Sequence, residues 1–344
     1  MNTQRRPDPL LRTLRAESTI RADRLHFATG ELLGADDLSA EQTYHRRQLA
    51  RALLLLHGSG TIAGLRVEVK PELNSAGTSL GEIELIVSPG LAIDRAGRLI
   101  EVVRPHCLRL RRWYEHLAAA APDHTPEDED DRTDLMAAFH PALGQVVADV
   151  FLVFHECDRA PSPAFATGPF DALDASQPSR TRDAHELKLV LRKEPDARLS
   201  GTGEAARAFD PWQELLTDAA RTAPRPVPAE WSPSQLERWR RLRADAGDGS
   251  LVNVLRAASL SGWDSLDLPA EPALAEVHEY PLRFDPSAVL LARVRIPAAQ
   301  SASGQVPTPD FSVATWQTDA VKPDNFVRNF ILPPALTQRL GVAF

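Results

Sequence analysis

The chain has 344 residues, of which 43% are hydrophobic and 25% charged, and its formal net charge is −8. This composition is typical of a folded globular protein, and the length suggests about two domains. The acidic balance, without a dominant basic patch, argues against a nucleic-acid-binding protein. The longest strongly apolar run, residues 146–154, is far shorter than the roughly 20 residues that a membrane-spanning helix needs.

The cellular location can be inferred from the cysteines and the N-terminus. Cys107 and Cys157 are far apart in the chain, which argues against a disulfide framework and favours a reducing cytoplasm. Residues 1–20 are rich in arginine but contain no apolar core of the length that a secretory signal requires, so we interpret them as an N-terminal arm. We therefore expect a cytoplasmic protein with no signal peptide and no membrane span.

The first strong element is a helix predicted over residues 39–56. Ser39 and Gln42 fit a capping box at its start, and Gly58 stands where a helix C-cap favours glycine. Apolar side chains recur within the helix at helical spacing, a stripe that is typical of the side facing a core. The stripe consists of Leu49, Ala52, Leu53 and Leu56.

A glycine-containing hinge at residues 57–60 leads into three predicted strands. They cover residues 61–70, 82–88 and 91–103. Apolar and charged residues alternate in the first two, as in a half-buried strand. In the third, Asp94 and Gly97 occupy the first and fourth positions of a type I turn, which predicts a hairpin.

The rest of the chain completes a mixed pattern. We predict a helix over residues 108–121, a buried central strand over 146–154, and strands over 186–192 and 289–296. Residues 158–183, rich in Pro, Ala and Ser, are expected to be irregular, and residues 311–317 are expected to pair with 289–296.

The predicted fold class is α+β: a β-rich mixed scaffold with an N-terminal capped helix and a helical insertion. The core domain covers residues 21–200, and the insertion covers residues 201–267, where the sequence changes to proline-punctuated helical segments. Residues 268–344 supply C-terminal strands that complete the core, followed by a tail.

Candidate metal-binding residues are few. The best cluster, His155-Glu156-Cys157-Asp158, ends the buried strand, but adjacent strand residues point to opposite faces. We interpret the acidic run at residues 127–131 as an exposed loop, because adjacent carboxylates repel one another. It lacks the alternation and the glycine of a calcium-binding loop. A metal-dependent hydrolase that uses His155 and Glu156 remains an alternative.

The glycines of the hinge resemble a phosphate-binding loop in composition only. Such a loop is followed by the N-terminus of a helix, whereas residues 57–60 run from a helix into a strand. A Gly-x-Ser-x-Gly nucleophile motif does not occur in the sequence. We expect no enzyme activity and assign no catalytic, cofactor-binding or metal-binding residue.

Four sequence blocks carry a family resemblance. They are RLHFxxGxLLxxxDLxxEQxY at residues 24–44, LHGSGxxxGLxV at 56–67, VxPGxAxDxxGRxI at 87–100, and LARV at 291–294 with DNFxR at 324–328. As a set they resemble poorly characterised proteins associated with phage tail-like contractile injection systems. The third block is also similar to phage baseplate and tail-fibre components.

This resemblance implies a structural, oligomeric role without a defined active site. The expected protein is a baseplate-, fibre- or cap-associated component that forms a homo-oligomer and contacts other particle proteins of the baseplate, sheath or tube. Candidate contact residues are Arg46, Arg47 and Arg51, on the polar face of the first helix. A carbohydrate-binding adhesin at a fibre tip is a further alternative.

Overall fold

The computed structural model describes residues 24–73, 79–118, 133–163, 176–192, 287–300, 306–316 and 323–331, with five single residues between 240 and 253. Helices and three sheets occur together here, with strands in the majority, which confirms the predicted β-rich α+β class. The arm at 1–20, the acidic run at 127–131 and, apart from the five single residues, the insertion at 201–267 lie outside the described residues. The domain boundaries stay a prediction.

Helix α1 covers Ala35–His57 and so begins four residues before the predicted start. The Gly34 amide donates a hydrogen bond to Asp37 Oδ2 at 2.8 Å, and the acidic first turn suits the positive end of the helix dipole. The predicted cap at Ser39 is wrong, because its hydroxyl lies inside the helix and donates to a backbone carbonyl. Gly58 is the C-cap residue as predicted, but the left-handed conformation expected there is wrong, because its φ of 75° and ψ of −165° lie in a different region that only glycine adopts readily.

Six short strands follow α1 and form two antiparallel sheets. The strands are β1 (Gly60–Gly64), β2 (Val67–Leu73), β3 (Ser79–Val87), β4 (Gly90–Ile93), β5 (Leu99–Val102) and β6 (His106–Arg109). The sheet orders are β1-β4-β5 and β2-β3-β6, and the predicted hairpin is confirmed as β4–β5. The predicted single strand at 61–70 is broken, because Gly64 and Leu65 have φ values of 65° and 55° and redirect the chain between sheets.

The β4–β5 turn contains a buried ion pair. Asp94 Oδ2 accepts a hydrogen bond from Arg98 Nε at 2.6 Å, and Asp94 Oδ1 accepts from the Ala96 amide at 2.9 Å. The guanidinium of Arg98 continues to Ser287 Oγ at 2.8 Å and lies 4.4 Å from the centre of the Phe154 ring. The aspartate and arginine of the third sequence block therefore join the hairpin to the central sheet.

Asp94 gives the stability a defined pH dependence. Burial raises its pKa from 3.8 to about 6, although the Arg98 charge opposes this rise. A carboxyl with a raised pKa contributes stability that is fully present below the unfolded pKa and is lost as pH rises through the folded pKa. We expect the wild type to gain about 2 kcal/mol relative to Asp94→Asn as pH falls from about 6 to about 4. Urea unfolding across this pH range measures the gain, and a constant difference would contradict it.

The third sheet forms the centre of the described structure. Its strands are β7 (Phe139–His140), β8 (Gln145–Pro163), β9 (Ser176–Leu191), β10 (Val289–Ala299) and β11 (Thr308–Pro309). Strand β8 lies between β9 and β10, which confirms the buried central strand and the predicted strand at 289–296. Val150 and Leu152 face the main core, whereas Phe151 and Val153 pack in a smaller cluster on the opposite face.

Helix α2 (Leu110–Ala118) confirms most of the helix predicted over 108–121, although the first two positions belong to β6. The amphipathic pattern fits, since Leu110 and Tyr114 are buried four residues apart on one face. The Tyr114 hydroxyl donates to the Pro307 carbonyl at 3.0 Å. Residues 119–121 lie outside the described part of the chain.

Two predictions around the central sheet are wrong. Residues 158–183 are not irregular, because β8 and β9 extend through much of this range as a hairpin. Pro161 pairs with Pro178 there, a position that prolines tolerate because no third described strand needs their missing amide hydrogen. The described residues 311–316 do not pair with β10, whose partner on this side is β11, and residue 317 lies outside the described residues. Helix α3 (Val313–Trp316) follows, and Asp310 Oδ1 accepts the Ser312 amide before it.

A buried charge cluster crosses the central sheet. Asp149 of β8 is 0% exposed, and Arg293 of β10 donates to its two carboxylate oxygens at 2.8 and 3.1 Å. Arg192, at the end of β9, approaches the same carboxylate at 3.4 Å. The aspartate that interrupts the apolar run 146–154 thus links three adjacent strands.

The segment 323–331 attaches the C-terminal part of the chain to the first two strands. The Asn325 side chain accepts the Val67 amide and donates to the Val67 carbonyl, both at 2.9 Å. Arg328 is buried and donates to the Leu65 carbonyl at 2.7 Å. The fourth sequence block therefore has a structural role, because it supplies hydrogen bonds where the chain turns between β1 and β2.

Candidate functional site

Exposed apolar side chains are concentrated on α1 and on the segment that precedes it. Among the described residues, seven large ones lie between residues 27 and 56. They are Phe27, Leu32, Leu33, Leu38, Leu49, Leu55 and Leu56. Large apolar side chains exposed in one segment of a folded protein make that segment a candidate interaction site.

Three of these residues lie in one row along α1, which we name the leucine line: Leu38, Leu49 and Leu56. Their exposed fractions are 53%, 61% and 76%. They are separated by 11 and 7 residues, which are close to whole numbers of turns at about 3.6 residues per turn. The row is therefore nearly straight and extends for about 27 Å along the helix, with the polar residues Gln42 and His45 on the same side between Leu38 and Leu49.

The predicted core-facing stripe of α1 is thus wrong, because two of its leucines face outward. The residues that α1 buries are Arg47 and Ala50. Ala50 lies against the β4–β5 turn, where a Cβ atom added at Gly97 would overlap the Ala50 carbonyl oxygen. Only small residues permit this close contact between backbones, so the helix turns its alanine inward and its leucines outward.

The three candidate contact arginines have different surroundings. Arg46 Nη2 donates to Glu156 Oε1 of β8 at 2.7 Å, so it already joins α1 to the central sheet. Arg47 is only 6% exposed, and burial, followed by the charge of Arg51, lowers its pKa. Arg51 is partly buried and also has an interaction partner. Their role at an interface stays a prediction.

The hinge after α1 is occupied by protein contacts. The Gly58 amide donates to the Leu54 carbonyl at 2.8 Å, and the Thr61 amide donates to the Asn329 carbonyl at 2.9 Å. A Cβ atom at Gly60 would overlap that same carbonyl. The glycines of the hinge therefore permit close packing of the backbone. Two amides that could have bound a phosphate already donate to carbonyl oxygens of the protein.

The side chains of the cluster His155-Glu156-Cys157-Asp158, at the end of the apolar run, do not converge on a common metal-binding point. Consecutive residues His155 and Glu156 belong to opposite faces of β8, and the Glu156 carboxylate binds Arg46. Across the described residues, no three His, Cys, Asp or Glu side chains are grouped closely enough to hold a metal ion. Cys107 and Cys157 are free thiols.

Comparison with known proteins gives no match, either to a protein-family model or to a curated protein. Within the described residues, no helix has both the length and the apolar character needed to cross a bilayer. The surface features are therefore the main guide to function. They provide a row of exposed leucines on one side of a helix, which is a candidate surface for contact with another protein.

Proposed function

We propose that this protein is a structural component of a phage tail-like contractile injection particle, associated with its baseplate, fibre or cap. It assembles in the cytoplasm through contacts between identical copies and with other particle proteins. The observation that carries this proposal is the leucine line, a row of exposed leucines on a helix that contacts the rest of the protein through Ala50 and Arg46.

The chemistry of the leucine line favours pairing with another helix. Apolar residues repeated along one side of a helix associate by burying that side against a partner, at roughly 25 cal/mol for each Å² of apolar surface removed from water. The particle assignment is supported by the four sequence blocks, whose charged and glycine positions have structural roles here. Asp94, Arg98, Asn325 and Arg328 all belong to hydrogen-bonded packing.

Replacement of the leucine line should weaken assembly without unfolding the chain. We expect Leu49→Glu/Leu56→Glu to weaken self-association at least about tenfold, because two carboxylates would have to be desolvated in the contact. Both side chains are exposed, so the free energy of unfolding should change by less than about 1 kcal/mol. Leu99→Glu, at an exposed leucine outside α1, is the matched control and should leave association unchanged.

The particle assignment is tested in cells that make the protein. Mass spectrometry of the high-speed pellet should find the wild type in a fixed ratio to sheath-like and tube-like proteins, and the double variant depleted from it. Recovery of the wild type only in the supernatant, without such partners, would contradict the proposal.

A further inference from the structure

The β8–β9 hairpin projects beyond the central sheet. We define the distal ribbon as residues 155–163 of β8 and 176–184 of β9. Strand β10 pairs with β8 only as far as Leu152, so among the described strands the distal ribbon has no third member. Its charged side chains beyond Glu156 are exposed.

The distal ribbon separates its charges by face. Directly paired residues of an antiparallel ribbon share a face, and successive pairs alternate between the two faces. Glu156 pairs with Asp183 and Arg159 pairs with Arg180, without a shift of register between them. The acidic face consists of Glu156, Asp158 and Asp183, and the basic face consists of Arg159, Arg180 and Arg182.

This arrangement does not stabilise the isolated ribbon. Like charges directly opposite one another destabilise a β pair, by a few tenths of a kcal/mol to about 1 kcal/mol. Among the described residues, none of the basic-face arginines has an ion-pair partner. The acidic face already binds one arginine of the same chain, since Arg46 donates to Glu156 at 2.7 Å. Arginine is thus the chemical group that this face accepts.

We propose that the acidic face of the distal ribbon in one copy binds the basic face of the same ribbon in the next copy. The acidic face presents two exposed carboxylates, Asp158 and Asp183, beside the already paired Glu156, and the basic face presents three exposed arginines, so a second copy of this chain offers each face its opposite charge. A nucleic acid would engage the arginines only and would meet a chain with a net charge of −8. The contact is head-to-tail, which closes into a ring or continues as a filament. The ribbon contact identifies a second copy of this chain as a partner in the proposed assembly, and this inference rests on the proposed function.

Charge exchange between two variants tests the contact directly. The all-acidic variant is Arg159→Glu/Arg180→Glu/Arg182→Glu, and the all-basic variant is Asp158→Arg/Asp183→Arg. We expect each variant to bind itself about tenfold more weakly than the wild type does, and the two variants to bind each other again. Biolayer interferometry on full-length chains measures all combinations. The leucine line is present in each of them, so the difference reports the ribbon alone.

A matched control separates the ribbon from general charge effects. Arg66→Glu/Arg104→Glu/Arg112→Glu changes the net charge as much as the all-acidic variant does, at exposed arginines outside the ribbon. It should retain wild-type self-association. It should also bind the all-basic variant no better than the wild type does. Thermal unfolding of every variant checks that the fold is retained.

The outcomes that overturn this contact leave the proposed function identifiable. Equal binding in all combinations, or a wild type that does not self-associate, overturns the ribbon contact. If binding is equal in all combinations but the wild type still self-associates and co-sediments with particle proteins, the proposed function stands without the ribbon contact. Fluorescence anisotropy with a labelled DNA duplex tests nucleic acid as the alternative partner. If the wild type binds the duplex, the all-acidic variant does not, and the two variants show no preference for each other, the arginines bind nucleic acid instead.

Discussion

The variant Asp149→Ala is expected to lose about 3–5 kcal/mol of stability, because it leaves buried cations without their carboxylate. Arg293 and Arg192 are 4% and 2% exposed, and both direct nitrogens at Asp149. A loss of this size is a large fraction of the 5–15 kcal/mol by which proteins of ordinary stability are folded. Urea unfolding followed by circular dichroism measures it.

Glu84→Ala is the control for this prediction. Glu84 faces Arg109 at 3.7 Å in a partly exposed pair, so its removal should cost less than about 1 kcal/mol. If the two alanine variants were equally stable, the charge cluster would not hold the central strands together. Replacement of all three charged residues of the cluster by apolar ones should be less damaging than Asp149→Ala, since no buried charge is then left alone.

Gly97→Ala is expected to destabilise the protein by about 3 kcal/mol, through backbone strain and a clash that cannot relax easily. Gly97 has a φ of 78°, and an added Cβ would overlap backbone atoms of Ala50 in α1. The helix must then move away from the β4–β5 turn. We expect a lower melting temperature together with weaker self-association, because the same helix carries the leucine line.

Gly58→Ala separates strain from the clash. Gly58 has nearly the same φ, 75°, but a Cβ there would meet no atom within 4 Å. This variant should lose only the cost of the backbone conformation, about 1–3 kcal/mol at this φ and ψ. Equal losses at the two glycines would show that the close approach of α1 to the turn contributes little.

Local sequence patterns predicted the elements that depend on local chemistry. The glycine cap at Gly58, the turn from Asp94 to Gly97 and the buried run at 146–154 all follow from residues within a few positions of each other. The sequence pattern does not predict the break in the strand at Gly64 and Leu65. Apolar alternation continues through both residues, and the positive φ values follow from contacts with distant residues, including Pro89.

The candidate interface could be predicted only in part. The sequence identifies an apolar stripe on α1, but which side of a helix faces the core depends on neighbours that are distant in sequence. Here the small residue Ala50 packs against Gly97, and this contact cannot be predicted from the sequence of the helix alone. The distal ribbon could not be predicted for a different reason: its proline-rich composition is typical of a loop. Its charge separation emerges only from the register that pairs Glu156 with Asp183.

The two proposed contact surfaces are joined by one ion pair. Arg46 belongs to α1, which carries the leucine line, and its partner Glu156 begins the acidic face of the distal ribbon. Movement of the helix would therefore disturb the charge pattern of the ribbon. A particle component that binds neighbours through both surfaces would hold them in a fixed relative orientation.

Sedimentation velocity of the purified wild-type chain, over a wide range of concentration, tests the central claim of assembly most directly. We predict species larger than the 37.8 kDa monomer that grow with concentration and that need higher concentrations to form in Leu49→Glu/Leu56→Glu. A wild type that remains a 37.8 kDa monomer at every concentration would contradict it.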